Sequence, residues 1–227
     1  MNDGTFWSSF SASVRFLKNL DLLKDNNAHK RMSYSAGCAE YSRGKDYQEV
    51  YQKLVDNRDY DILLKDDSIF QMNISNGESR LVFIQNPLKH ISFETFLENI
   101  GWDAEPEMIE QLHEAFDEDY YQTLEGMDLN SGAVYLRYDV DARGRKDNEN
   151  IHAYTHLHIG INNSIRIPVG IHLTPLAFTM FVVRHVYYDV WVDGVRTEKI
   201  KGGHKTNCEE LPINMWTDSE KQFLYIT

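Results

Sequence analysis

His152, His156 and His158 recur at spacings of four and two residues, and Arg137, Asp139 and Asp141 at spacings of two, so each set falls on one side of a β-strand. Imidazole nitrogens and carboxylate oxygens are the donors that hold zinc and manganese. A strand rises about 3.3 Å per residue, so the histidines of an H-x-H pair stand roughly 6.6 Å apart at the backbone and can converge on one ion. These residue types suit phosphodiester hydrolysis. His152, His156 and His158 are the candidate metal ligands, Asp139 and Asp141 further ligands or the base that activates water, and Arg137, Arg166 or Arg184 the groups that steady phosphate charge. The expected cofactor is a divalent metal ion, zinc or manganese. A metal-free version would use one histidine as general base and another as general acid.

Positioning these side chains needs two strands. Val134, Leu136, Tyr138 and Val140 form an apolar face opposite Tyr135, Arg137, Asp139 and Asp141; Ile151, Ala153, Thr155, Leu157 and Ile159 do the same opposite His152, Tyr154, His156 and His158. The polar run Ala142 to Asn150 can return the chain antiparallel, which predicts a hairpin. If both apolar faces enter one core, odd residues of the first strand must oppose even residues of the second, because a one-residue slip would bury the charges. The competing reading is simpler: the polar face of a half-buried sheet is solvated, and histidine tolerates that position.

Downstream, Ser164 to Leu173 suggests a third strand carrying Arg166, with Pro168 indicating an edge or a bulge. Thr174 and Pro175 then start an apolar helix, Leu176 to about Tyr188, interrupted by Arg184 and His185. An arginine there must reach the surface or a carboxylate such as Asp139 or Asp141. The glycine-containing stretch from Asp193 suggests a hairpin and a loop, and Phe223 to Ile226 a final strand.

The order R-x-D-x-D, H-x-x-x-H-x-H-x-G, R-I-P, T-P and R-H-V-Y, over Val134 to Tyr188, resembles an uncharacterised bacterial domain-of-unknown-function family. In this sequence those elements carry Arg137, Asp139, His152, His156, His158, Arg166, Pro168, Pro175 and Arg184. The resemblance implies a bacterial, intracellular protein encoded among mobile or defence genes, and brings no activity with it.

Upstream, apolar residues at helical spacing predict helices over Thr5 to Leu23, with Thr5 as cap, and over Tyr47 to Val55. Asn76-Gly77 between two alternating runs predicts a two-residue hairpin that pairs Ser75 with Glu78 and places Phe70, Met72 and Ile74 on the face of Leu81 and Phe83. Ser92 begins a helix that Gly101 ends, and Pro106 opens another.

Composition narrows the function classes. With 23 basic and 35 acidic residues the net charge is −12, which disfavours non-specific nucleic-acid binding, so nucleic acid enters only as a substrate reached through bound cations. Asp103 to Asp128 holds ten acids and no lysine or arginine, either a solvated helix face or a surface for a basic protein partner. No apolar run approaches the roughly 20 residues of a membrane span, and Cys38 and Cys208 make no C-x-x-C, which suggests a cytoplasmic protein with unpaired thiols. G-x-G-x-x-G and G-x-S-x-G are both missing, against a Rossmann protein or a serine hydrolase. The expectation is one α+β domain over 1–227, with 1–58 as a helical part and a mixed or mainly antiparallel sheet flanked by helices. Its expected function is a divalent-metal-dependent phosphodiesterase or nuclease-like effector of a bacterial defence or toxin-like system; the alternative is a non-catalytic acidic accessory protein that binds a basic partner.

Overall fold

Asn76 (φ 54°) and Gly77 (φ 81°) both occupy the left-handed region in the computed structural model, as a tight hairpin turn of matching twist requires. The structure describes residues 1–27, 45–88, 91, 93–102, 108–125, 133–141, 152–161, 165–201, 207–211 and 216. The turn joins β3 (Ile69–Ser75) to β4 (Glu78–Ile84), with Ser75 opposite Glu78, Met72 opposite Leu81 and Phe70 opposite Phe83. Turn chemistry and burial thus select the same register.

Around this hairpin runs a seven-stranded antiparallel sheet in which sheet order follows chain order. It comprises β1 (Leu23–Asn26), β2 (Ile62–Leu64), β3, β4, β5 (Tyr135–Val140), β6 (Thr155–Ile159) and β7 (Ile165–Pro168). The protein is α+β, an open sheet flanked by helices. Pro168 lies in the edge strand β7, where its missing N–H costs no ladder bond. The strand expected to run on to Leu173 ends at Pro168 instead. His172–Leu173 forms β8, which pairs with β9 (Cys208–Glu209) in a separate ladder.

One face of the sheet is covered by α1 (Asp3–Asn19) and α5 (Pro175–Val186), whose Phe6, Leu17, Phe178 and Val182 share a core with Phe70, Leu81, Phe83, Tyr138 and Leu157. Thr174 caps α5 by accepting from the Ala177 N–H. The cap of α1 is Asn2 rather than Thr5: its side chain accepts the Thr5 N–H at 2.9 Å. This helix stops at Asn19, and Leu23 already belongs to β1.

The opposite face is apolar at one end. There Val50, Tyr51 and Leu54 of α2 (Tyr47–Asp56) pack on Leu63, Ile69, Val82 and Ile84. The stretch around Asp193, expected as a hairpin, is helical: α6 spans Tyr188–Arg196. Gly194 serves close packing there, since a Cβ would come within 2.8 Å of Ile200 Cδ1 and 2.9 Å of Leu20.

The chain divides into two compact units, one formed by 1–85 with 134–227 and the other by 86–133. Unit 86–133 contains α3 (Phe93–Asn99) and α4 (Ile109–Glu125) around Phe93, Phe96, Leu97, Leu112 and Tyr120, and Gly101 (φ 87°) follows the end of α3. The connection Ala142 to Asn150, the strand expected at Phe223 to Ile226, Cys38, Pro106 and the acids Asp103, Glu105 and Glu107 lie outside the described residues. Among the described residues, no helix is long and apolar enough to cross a membrane.

Candidate functional site

Strands β5 and β6 pair in the parity that burial requires. Arg137 stands opposite His158 and Asp139 opposite His156. On one side β4 places Arg80 opposite Asp139; on the other β7 places Arg166 opposite His158. The face that α2 covers over Val82 and Ile84 therefore turns polar further along the same strands.

Asp139 is the centre of this cluster. Its Oδ1 accepts from Arg80 Nε and its Oδ2 from Arg137 Nε, each at 2.8 Å. Oδ2 also lies 3.4 Å from His158 Nε2 and 3.8 Å from His156 Nε2. Ligand atoms of Asp139, His156 and His158 all fall within 4.8 Å of one another. These residues are not on a solvated face: Asp139 is 6% exposed, His156 1% and His158 0%.

The protons sort the nitrogens into roles. His156 Nδ1 is 3.0 Å from the Ala153 carbonyl, which can only accept, so Nδ1 carries the proton and Nε2 presents its lone pair toward Asp139. Burial above all, with help from His158 and Arg166, pushes the His156 imidazole down to about 4 against the bond to Ala153 and the Asp139 charge, which favour protonation. Burial also lowers His158, opposed by Asp139. His158 Nε2, 3.4 Å from Asp139 Oδ2, favours the carboxylate, and His158 Nδ1 has no hydrogen-bond partner among the described residues. Burial alone would raise the Asp139 carboxyl, but His158, Arg137 and Arg80 together outweigh it and hold it below the usual carboxylate range.

At neutral pH the centre therefore contains one carboxylate and two neutral imidazoles, with a lone pair facing an anion across 3.8 Å. Two acceptors in that position repel unless a cation or a proton lies between them, and the depressed imidazole disfavours the proton. A first-row divalent ion with bonds of about 2.0–2.2 Å needs donors about 3–3.6 Å apart. The 3.4 Å pair already meets this, the 3.8 Å pair must close by a few tenths of an ångström, and a spacing of 4.8 Å by at least about 1.2 Å. The backbone bond that fixes the His156 tautomer is also the arrangement metal-bound histidines use. The donor set fits a divalent ion.

The remaining expected residues divide. His152 contacts the His156 ring edge-on at 4.8 Å but lies outside the three-residue group. Its Nδ1 accepts from Arg166 at 3.0 Å, and its Nε2 is 3.2 Å from Asp141 Oδ2, so Asp141, His152 and Arg166 form a chain beside the centre. Arg184 is not brought there. It is exposed on α5, which packs against the other face, with its guanidinium 5.8 Å from the Trp191 ring centroid. Arg80, which sequence reasoning did not single out, contacts Asp139 directly. Its only signal was its place in the alternation of β4, which says nothing about which strand lies alongside.

Fold and site together define a helix-flanked antiparallel α+β protein with a buried carboxylate and histidine centre. The chain belongs to the family described as uncharacterised conserved protein (DUF2290), whose model matches residues 16–226. No curated protein and no solved structure matches it.

Proposed function

We propose that this protein is a divalent-metal-dependent phosphodiester hydrolase of nuclease-like type, with Asp139, His156 and His158 as metal ligands. The observation that carries the reading is the unshared lone pair of His156 aimed at the ionised Asp139 in a buried centre. A bound ion there supplies a Lewis acid for a phosphoryl oxygen and lowers the pKa of a water. In the reaction a water oxygen adds to phosphorus, the P–O bond to the leaving alcohol breaks, and no group is oxidised or reduced. Asp141, 3.2 Å from His152, takes the water proton, which then passes to the departing oxygen. Arg137, bonded to Asp139, neutralises charge that develops on the phosphoryl oxygens.

The test is metal-dependent hydrolysis of bis(4-nitrophenyl) phosphate after stripping with chelator and reloading with zinc or manganese. Activity that returns with metal, and is lost in Asp139→Asn and His158→Ala, is expected. Equal rates with and without chelator would sink the reading.

A second reading has its own observation. Residues 86–133 hold twelve acids against one lysine, and Trp102, Met108 and Tyr121 are exposed on that unit. In this reading the unit docks a basic protein partner without catalysis. A complex that dissociates as salt rises, with the histidine centre dispensable, would favour it.

A further inference from the structure

We infer that the substrate of this centre is a single nucleic-acid strand bearing phosphates on both sides of the scissile bond, laid across the sheet from Arg80 to Arg166. The inference rests on the hydrolase reading and names its substrate class. Arg80 projects from β4 and Arg166 from β7, three strand spacings apart and offset by two residues along the strands, about 16 Å at the backbone. Asp139, His156 and His158 lie on the two strands between them. The flanking cations are exposed, the Arg80 side chain to 59%, whereas the ligand side chains are at most 8% exposed.

A small diester carries one charge at the metal and needs neither flank. A chain of phosphates places one neighbour toward each arginine while the middle phosphate reaches down to the recessed centre. That path requires a backbone that bends over a short distance, which a single strand does and a stiff duplex does not. Both arginines have donors to offer. Among the described residues Arg80 contacts Asp139 through Nε and Arg166 contacts His152 through Nη1, which leaves other guanidinium N–H groups for phosphate. Asp141 faces His152.

The chain's charge does not oppose this. Of its 23 basic and 35 acidic residues, segment 86–133 holds one lysine and twelve acids, so the unit with the centre has 22 basic against 23 acidic residues. It is close to neutral, and a local row of arginines can act without a general negative field.

The experiment has a binding arm and a turnover arm, both on the full chain. In chelator, binding of a fluorescent ten-nucleotide oligothymidylate is followed by anisotropy against salt. Each phosphate contact on a single strand contributes about 0.7 to the slope of log K against log salt, so Arg80→Gln and Arg166→Gln should each reduce it by about that amount. With metal restored, each substitution should lower kcat/KM on the oligonucleotide at least tenfold more than on bis(4-nitrophenyl) phosphate. Wild-type slopes unchanged by either substitution, or equal losses on both substrates, overturn the strand path. Slopes that change as expected while the wild type turns over neither substrate would leave strand binding intact and remove the hydrolase reading. Tighter binding of a duplex of the same length would overturn the choice of a single strand.

Discussion

His156 faces Asp139 across 3.8 Å with its only proton committed to the far side of the ring, where Nδ1 meets the Ala153 carbonyl. That relationship separates a buried polar cluster that merely folds from one arranged for a cation, and the first prediction follows from it.

Zinc or manganese at a hundredfold excess over its dissociation constant should stabilise the protein by about 2.7 kcal/mol, read as a rise of several degrees in Tm. His158→Ala and Asp139→Asn should abolish the rise. In metal-free protein His156→Ala should cost about 1 to 3 kcal/mol, because the Ala153 carbonyl loses its donor in a buried place. A wild-type Tm indifferent to every divalent ion would count against the centre.

Acid should destabilise the protein well above the carboxylate range. His156 and His172 are pushed down to about 4, mainly by burial, and His158 is lowered for the same reason. A histidine whose folded pKa lies below its unfolded value near 6.5 binds fewer protons when folded, so its neutral form favours folding at high pH. That contribution falls away as pH drops from about 6.5 toward 4, by roughly 3 kcal/mol for His156 alone. Asp139, also held low, adds a further loss only below about 4. Denaturant midpoints measured from pH 8 to pH 4 should decline through that window; a flat profile would mean that the imidazoles are already charged or hydrated.

Gly77→Val should destabilise by more than about 1 kcal/mol. Nothing lies within 4 Å of a Cβ built there, so the cost comes from the backbone at φ 81° rather than from a clash. Gly77→Asn, which tolerates that region, should recover most of the loss. An unchanged melting curve for the valine variant would remove the turn assignment.

Tyr138→Phe tests the link between sheet and ladder. The Tyr138 hydroxyl is buried, donates to the Ile171 carbonyl and accepts from the Leu173 N–H, each at 3.1 Å. Phenylalanine leaves both groups without that partner and should cost about 1 to 3 kcal/mol by urea unfolding. A loss below a few tenths would show that water replaces the hydroxyl.

Much of this architecture follows from local rules. Alternation with a period of two fixes which residues share a strand face, so burial of Leu136, Tyr138 and Leu157 forces Arg137 and Asp139 beside His158 and His156, and the pairing parity could be read before any coordinates. The Asn76-Gly77 register and the Thr174-Pro175 helix start are equally local, because each depends on backbone preferences within a few residues.

Tertiary structure decided what the alternation leaves open. Pairing of β4 with β5 joins residues more than fifty positions apart, and only that pairing brings Arg80 to Asp139. Side-chain direction selected two of the three histidines, since His152 turns to Arg166 and Asp141 while His156 and His158 converge. Arg184 lies away from the centre because the apolar side of α5 is buried in the core with Phe70, Tyr138 and Leu157, on the face opposite the histidines. Whether the histidine face met water was also beyond the sequence. A period of two assigns a side chain to a face, but burial depends on what packs against that face, and nothing within the strand specifies it.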